Sequence, residues 1–300
     1  MATSRKNVAN NLVTGVLVAM LLVGMGLVAY PSVSNWWNQR HASRAVGAYA
    51  AAVDEMSQED IDLYMDEARS YNEKLVDRPF STRLSQGEEA AYRRALDVDK
   101  GHVLCQVRID KINVDLPVFH GTEDEVIQSS IGHLEGTSLP VGGDSTHSVL
   151  VGHRGLPSAE LFSKLDQLRE GDTFSVITLG KRLWYEVDQI LVVKPEEMSA
   201  LGIEKGKDLC TLLTCTPYGI NTHRLLVRGH RVDGPDQSAH VTADAVRVDP
   251  ILVACAVALP LLLIILLVLA LVEPRREAAR GTGSPRGMEA KGADKHESVD

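Results

Sequence analysis

Polar and apolar positions along this chain fall into two uninterrupted apolar runs and, between them, one change of period. Residues 13–30 and 251–272 contain no charged side chain. Each run approaches the roughly 20 residues that cross a bilayer core, and both are predicted to be membrane-spanning helices. From 42 to 76, Val46, Ala50, Val53, Ile61, Tyr64, Ala68, Tyr71 and Leu75 recur at helical spacing with acids between them. A second helical piece covers 87–96, and the stretch VDRPFSTRLSQG, with its proline and turn formers, joins the two. From residue 102 the period becomes two. HVLCQVRI, INVDLPVF, SVLV, TFSVITL, LWYEVDQILVV, DLCTLLTC and HRLLVRGHR are rich in β-branched and apolar residues and are bounded by turns. Two helices are predicted to interrupt them, one at 122–131 with a capping-box spacing at Thr122 and Glu125, the other at 158–168. Many short strands with few helices point to a closed barrel or a sandwich.

These elements divide the chain into a short N-terminus (1–12), a first span (13–30), a helical region (31–101), a β-rich domain (102–231), a linker (232–250), a second span (251–272) and a charged, Gly-rich tail predicted to be disordered (273–300). Arg5 and Lys6 precede the first span, and Trp36 and Trp37 follow it where an interfacial belt would sit, so it reads as an uncleaved anchor. Arg275, Arg276 and Arg280 closely follow the second span, whereas Arg247 alone precedes it. Positive charge marks the cytoplasmic side, so both termini are expected in the cytoplasm and the β-rich domain outside the cell. The net charge of −9 argues against a nucleic-acid partner, which needs a basic face.

Charge and location change the meaning of the cysteines. Cys255 lies within the second apolar run; Cys105, Cys210 and Cys215 belong to the β-rich domain. Three thiols in an oxidising compartment leave at least one unpaired within the chain. Neither CxxC nor a Cys/His pair at zinc spacing occurs, so no structural metal site is expected. Cys215 ends one strand, Arg224 opens the next, and TPYGINT between them is a turn. In a hairpin the two would lie side by side, where a guanidinium favours a thiolate and can donate to a developing oxyanion. Strand parity puts Leu209, Thr211, Leu213 and Cys215 on one face and Cys210, Leu212 and Thr214 on the other, which separates Cys215 from Cys210. An acid/base partner could come from His120, His133, His153, His223 or His230; His153 stands out because it follows an apolar strand and precedes a glycine turn.

The run TLLTC followed by Arg224 resembles the TLxTC signature of sortases, the cysteine transpeptidases of Gram-positive surfaces. SVLVGHRGLPSAELF resembles their histidine region. HLEGTSLPVGG and TCTPYGINTHRLLVRGHR are similar to the class C, pilus-assembling branch. The resemblance covers about residues 71–231 and implies an eight-stranded β-barrel with Cys215 as nucleophile, His153 as acid/base and Arg224 as substrate and oxyanion stabiliser. It implies substrates with LPxTG-like sorting signals, a pilin lysine as acceptor, a lid over the cysteine, and a reaction that needs no metal or organic cofactor. The lid text nearest the family's Asp-Pro-aromatic motif is Asp77-Arg78-Pro79-Phe80, with Arg78 interrupting the usual spacing; Asp77 and Phe80 are its expected contacts. Two alternatives keep a catalytic cysteine: a sortase that uses a peptidoglycan amine, and a papain-like hydrolase, whose usual Cys-before-His order is reversed here. A third is a membrane-tethered interaction domain in which Cys215 only packs.

Overall fold

The structure is a computed structural model that describes residues 2–98 and 101–234, together with Ala258. The chain divides into two compact units, residues 1–246 and 247–300, and the elements below belong to the first. The predicted second span, linker and tail lie outside the described residues, Ala258 and the linker's first residues apart.

A single helix, α1 (Ala2–Asp54), runs through the first apolar segment and on to the barrel. Among the described residues it is the one helix long and apolar enough to cross a membrane. At 1.5 Å per residue its 53 residues reach about 80 Å, far beyond a bilayer core. The surplus docks on the β-rich domain: Ala42, Tyr49 and Val53 are buried there. The Tyr49 hydroxyl accepts the Leu179 N–H at 2.8 Å, fixing the helix to the barrel. The predicted 42–76 helix is therefore two helices. The chain breaks after Asp54, and Ser57 caps α2 (Gln58–Glu73) by accepting the Asp60 N–H. Asn72, buried at the end of α2, holds it to the barrel by two backbone bonds with Leu139, one donated at 3.1 Å and one accepted at 2.7 Å. A capping box of Ser85 and Glu88 starts α3 (Gln86–Arg94).

Eight strands close the barrel: β1 (Val103–Ile109), β2 (Val114–His120), β3 (Ile131–His133), β4 (Thr146–Val151), β5 (Thr173–Thr178), β6 (Lys181–Val193), β7 (Asp208–Thr216) and β8 (His223–Val232). Their order around it is β1-β2-β3-β4-β7-β8-β6-β5, with β5 returning to β1. Most pairs are antiparallel; β2–β3 and β4–β7 are parallel. Seven strands match the runs of period two. β3 is too short, at three residues, to show a period, and it lies at and just beyond the end of the stretch read as a 122–131 helix. That helix is one turn, α4 (Asp124–Ile127), whose N-cap is Glu123 without a side-chain bond; the Thr122–Glu125 box does not form. Residues 158–168 are turns ending in a 3-10 turn at Leu165–Gln167 rather than a helix. Leu161 adopts φ +37°, and the Phe162 N–H donates back to the His153 carbonyl, which closes the segment as a loop.

A polar network crosses the buried base of the helical region. Tyr92 accepts the Gly121 N–H at 2.9 Å and lies 3.0 Å from both His133 Nδ1 and the His133 carbonyl. His133 Nε2 is 2.9 Å from the Ser138 carbonyl, so that nitrogen carries the proton and donates, leaving Nδ1 as an acceptor for Tyr92. Burial pulls the His133 imidazole down to about 3. Cys105 and Cys210 are free, fully buried thiols whose burial pushes them well above the ordinary thiol range. Parity is as expected: Cys210 and Leu212 belong to the main core, and Leu213 faces a second, separate apolar cluster.

Candidate active site

β7 and β8 form an antiparallel pair in which Cys215 is opposite Arg224 and Thr216 opposite His223. Cys215 is half-buried and carries a free thiol, in contrast to the two sealed cysteines. The Arg224 guanidinium donates to the carbonyls of Asn221 and His223 at 3.3 and 3.2 Å, folding over its own turn. No carboxylate pairs with it among the described residues, so its charge stands unneutralised beside the thiol strand.

His153 reaches the same place by the parallel pair. β4 runs alongside β7 with Val151 opposite Leu213, and the Gly152 N–H still donates to the Leu213 carbonyl at 3.0 Å. His153 therefore opens the loop that leaves β4 at the barrel end where β7 carries Cys215. Thr214, buried and pointing opposite to Cys215, donates to the Gly152 carbonyl at 2.7 Å and fixes where the histidine loop departs. Gly152 is needed for closeness: a Cβ there would lie 2.6 Å from Ile131 Cδ1 and 2.7 Å from Phe162 Cδ2. His120 and His133 are buried in the network under α3, His223 opens β8 opposite Thr216 and so alternates away from Cys215, and His230 pairs with Leu209 at the far end of the hairpin.

Arg154 is a connection that sequence reasoning missed. Its side chain is 9 % exposed and pairs with Asp166 at 2.5 Å. It also donates to Thr216 Oγ1 at 3.3 Å and lies 5.9 Å from the centre of the Tyr218 ring. One side chain thus ties the residue after His153 to the residue after Cys215. Adjacency in HRG was the available signal, but an arginine beside a loop histidine usually faces solvent.

On the outer barrel face, Val149, Leu213 and Leu226 form the second apolar cluster with Leu134 and Leu201. Phe80 packs into this cluster from the segment between α2 and α3. By parity this is the face that Cys215 shares two residues beyond Leu213. A small cavity lined by Leu75, Pro79, Phe80, Gly136, His147 and Leu201 remains beside the ring, with room for a water. Gly136, at φ +79°, lets the backbone approach, since a Cβ there would be 2.0 Å from the Ser81 carbonyl oxygen. Arg78 pairs with Glu88, tying the segment to α3. Asp77 points elsewhere, to Lys205 Nζ at 3.1 Å on the exposed surface. Removing the Phe80 ring forfeits roughly 1–1.5 kcal/mol of burial, about a tenfold rise in the uncovered state. Phe80→Ala is accordingly expected to speed alkylation of Cys215 about tenfold, measured as loss of free thiol under a mild alkylator. An unchanged rate would remove Phe80 as the plug.

Residues 107–232 match the family model described as the sortase domain. The chain is 49% identical to sortase C1 from Streptococcus agalactiae, covering 64% of this chain and 100% of that one, with a TM-score of 0.63. Against sortase C-1 from Actinomyces oris the identity is 47%, the coverage 58% of this chain and 99% of that one, and the TM-score 0.55. A lid mutant of sortase A from Corynebacterium diphtheriae is 40% identical, with 61% of this chain and 98% of that one covered and a TM-score of 0.57.

Proposed function

Because the chain belongs to the sortase family of cysteine transpeptidases, we propose that Cys215, His153 and Arg224 cleave an LPxTG-like sorting signal and join it to a pilin lysine. The observation that carries this reading is register. Antiparallel β7–β8 puts Arg224 opposite Cys215, and parallel β4–β7 brings His153 to the same barrel end. The Cys215 sulfur attacks the threonine carbonyl of the Thr–Gly bond, and the oxyanion is met by the Arg224 guanidinium. His153 gives its proton to the departing glycine amine as the C–N bond breaks and the thioester forms. A lysine amine then attacks the thioester and surrenders a proton to His153. An isopeptide bond forms, and the Cys215 thiol is restored.

In this reading Phe80 and its neighbours are a lid. The cluster it fills includes Leu213, two residues before Cys215 on the same strand face, and its apolar side chains suit the leucine and proline of the sorting signal once the ring leaves. The same reading sets the site outside the cell, with α1 and the predicted span at 251–272 as its anchors. Incubation with a sorting-signal peptide is expected to give a covalent adduct of the mass of the peptide through threonine, mapped to Cys215 and absent in Cys215→Ala. A folded protein that forms no such adduct even with Phe80 replaced would overturn the proposal. Offering a lysine-bearing pilin segment and a peptidoglycan amine to the preformed thioester separates pilus assembly from wall anchoring.

A further inference from the structure

The loop that carries His153 is held on its far side by α1. Residues 153–162 are closed at the base, where the Phe162 N–H donates to the His153 carbonyl at 3.2 Å. At the apex, Asn38 Nδ2 donates to the Ser158 carbonyl at 2.7 Å, and Asn35 Oδ1 accepts the Glu160 N–H at 2.9 Å. The two bonds bracket Ala159, which is buried. Asn35 and Asn38 are three apart and share one helical face. That face continues through Ala42, Ala45, Tyr49 and Val53 along the barrel, while Trp36, Trp37 and Arg40 face outward. Beside the two bonds a cavity of about 200 Å³ separates α1 from the turn between β1 and β2. The asparagines therefore bridge to the loop where apolar packing is incomplete.

We infer that Asn35 and Asn38 are positioning residues for His153, so that the helix leaving the membrane is a working part of the active site. This rests on the reading of His153 as the acid/base. Asn38 must donate and Asn35 must accept, so two chemically identical changes have opposite outcomes. Asn38→Asp loses the donor and sets a carboxylate against the Ser158 carbonyl, whereas Asn35→Asp keeps the acceptor.

The test uses the full chain in detergent micelles, with Phe80→Ala present so that uncovering does not limit the rate, and a sorting-signal peptide as substrate. Asn38→Asp is expected to lower kcat about ten- to a hundredfold with KM nearly unchanged, and to move the histidine limb of the pH–rate profile. Asn35→Asp is expected to stay within about twofold of the parent. Equal effects of the two changes, or a loss confined to melting temperature with kcat and pH profile intact, would overturn the inference. Should Asn38→Asp fail to fold, Asn35→Ala, which removes the acceptor alone, carries the same expectation of reduced kcat. His153→Ala separates the two levels. Full activity in that variant defeats the site reading itself; an inactive His153→Ala beside a normal Asn38→Asp defeats only the role of the helix.

Discussion

Arg224→Ala is expected to lower kcat/KM for thioester formation by roughly a hundred- to a thousandfold, the usual loss when one oxyanion donor is removed. The melting temperature should change little, because Arg224 makes no ion pair among the described residues and its two carbonyl contacts are long. The effect arises from charge and shape together. Arg224 is paired in register with Cys215, and Arg154, which reaches Thr216, is neutralised by Asp166. Arg224→Lys keeps the charge but loses the planar fork, so it should recover only part of the rate. Equal activity for wild type and Arg224→Ala in a single-turnover assay would remove Arg224 from the mechanism and leave the oxyanion to backbone donors.

Acid should destabilise the fold well before its carboxylates titrate. His133 is held neutral by burial, with a folded value of about 3 against the ordinary 6.5. Between those values the unfolded chain binds a proton that the folded chain refuses, so stability falls as pH falls below about 6.5. One such histidine contributes about 1.4 kcal/mol per pH unit, or roughly 3 kcal/mol between pH 6.5 and 4.5. His120 and His147 are shifted in the same direction by burial and steepen the loss. Glu88, held down to about 2 by Ser85 and Arg78, acts in a lower window: its contribution is present above the ordinary carboxylate value of 4.5 and disappears as pH falls toward 2. Denaturant midpoints followed across pH 7 to 4.5 read the histidine window. His133→Gln should be less stable than the parent at pH 7 yet show a slope shallower by about one proton. An unaltered slope would assign the acid sensitivity to other groups.

The hairpin that holds Cys215 and Arg224 was legible because alternation along TLLTC and HRLLV sets parity, and parity survives folding. His153 was legible from its place at the end of an apolar strand, but only the parallel β4–β7 pair distinguishes it from the other histidines by geometry. Three features were hidden for physical reasons. β3 is shorter than the window needed to see a period of two. The 158–168 stretch has helical spacing, yet the loop gains backbone bonds to His153, Asn35 and Asn38 that a helix could not make there. Asn35 and Asn38 look like ordinary polar residues after an apolar run, because their partners lie more than a hundred positions away. The lid falls between these cases. Its resemblance pointed to Phe80 and Asp77 together; Phe80 packs on the second apolar cluster, whereas Asp77 is on the surface with Lys205.

The parallel pairing of β4 with β7 also acts as an interlock on reactivity. His153 and Cys215 are separated by an entire β5–β6 hairpin and its flanking loops, and they come to the same barrel end only when strands from both sides of that insertion have paired. Such non-local pairing forms late in folding. The β7–β8 hairpin is local and can bring Arg224 beside Cys215 early, but until β4 pairs with β7 the cysteine has no acid/base at hand. The chain thereby becomes an acyltransferase only as it becomes a barrel.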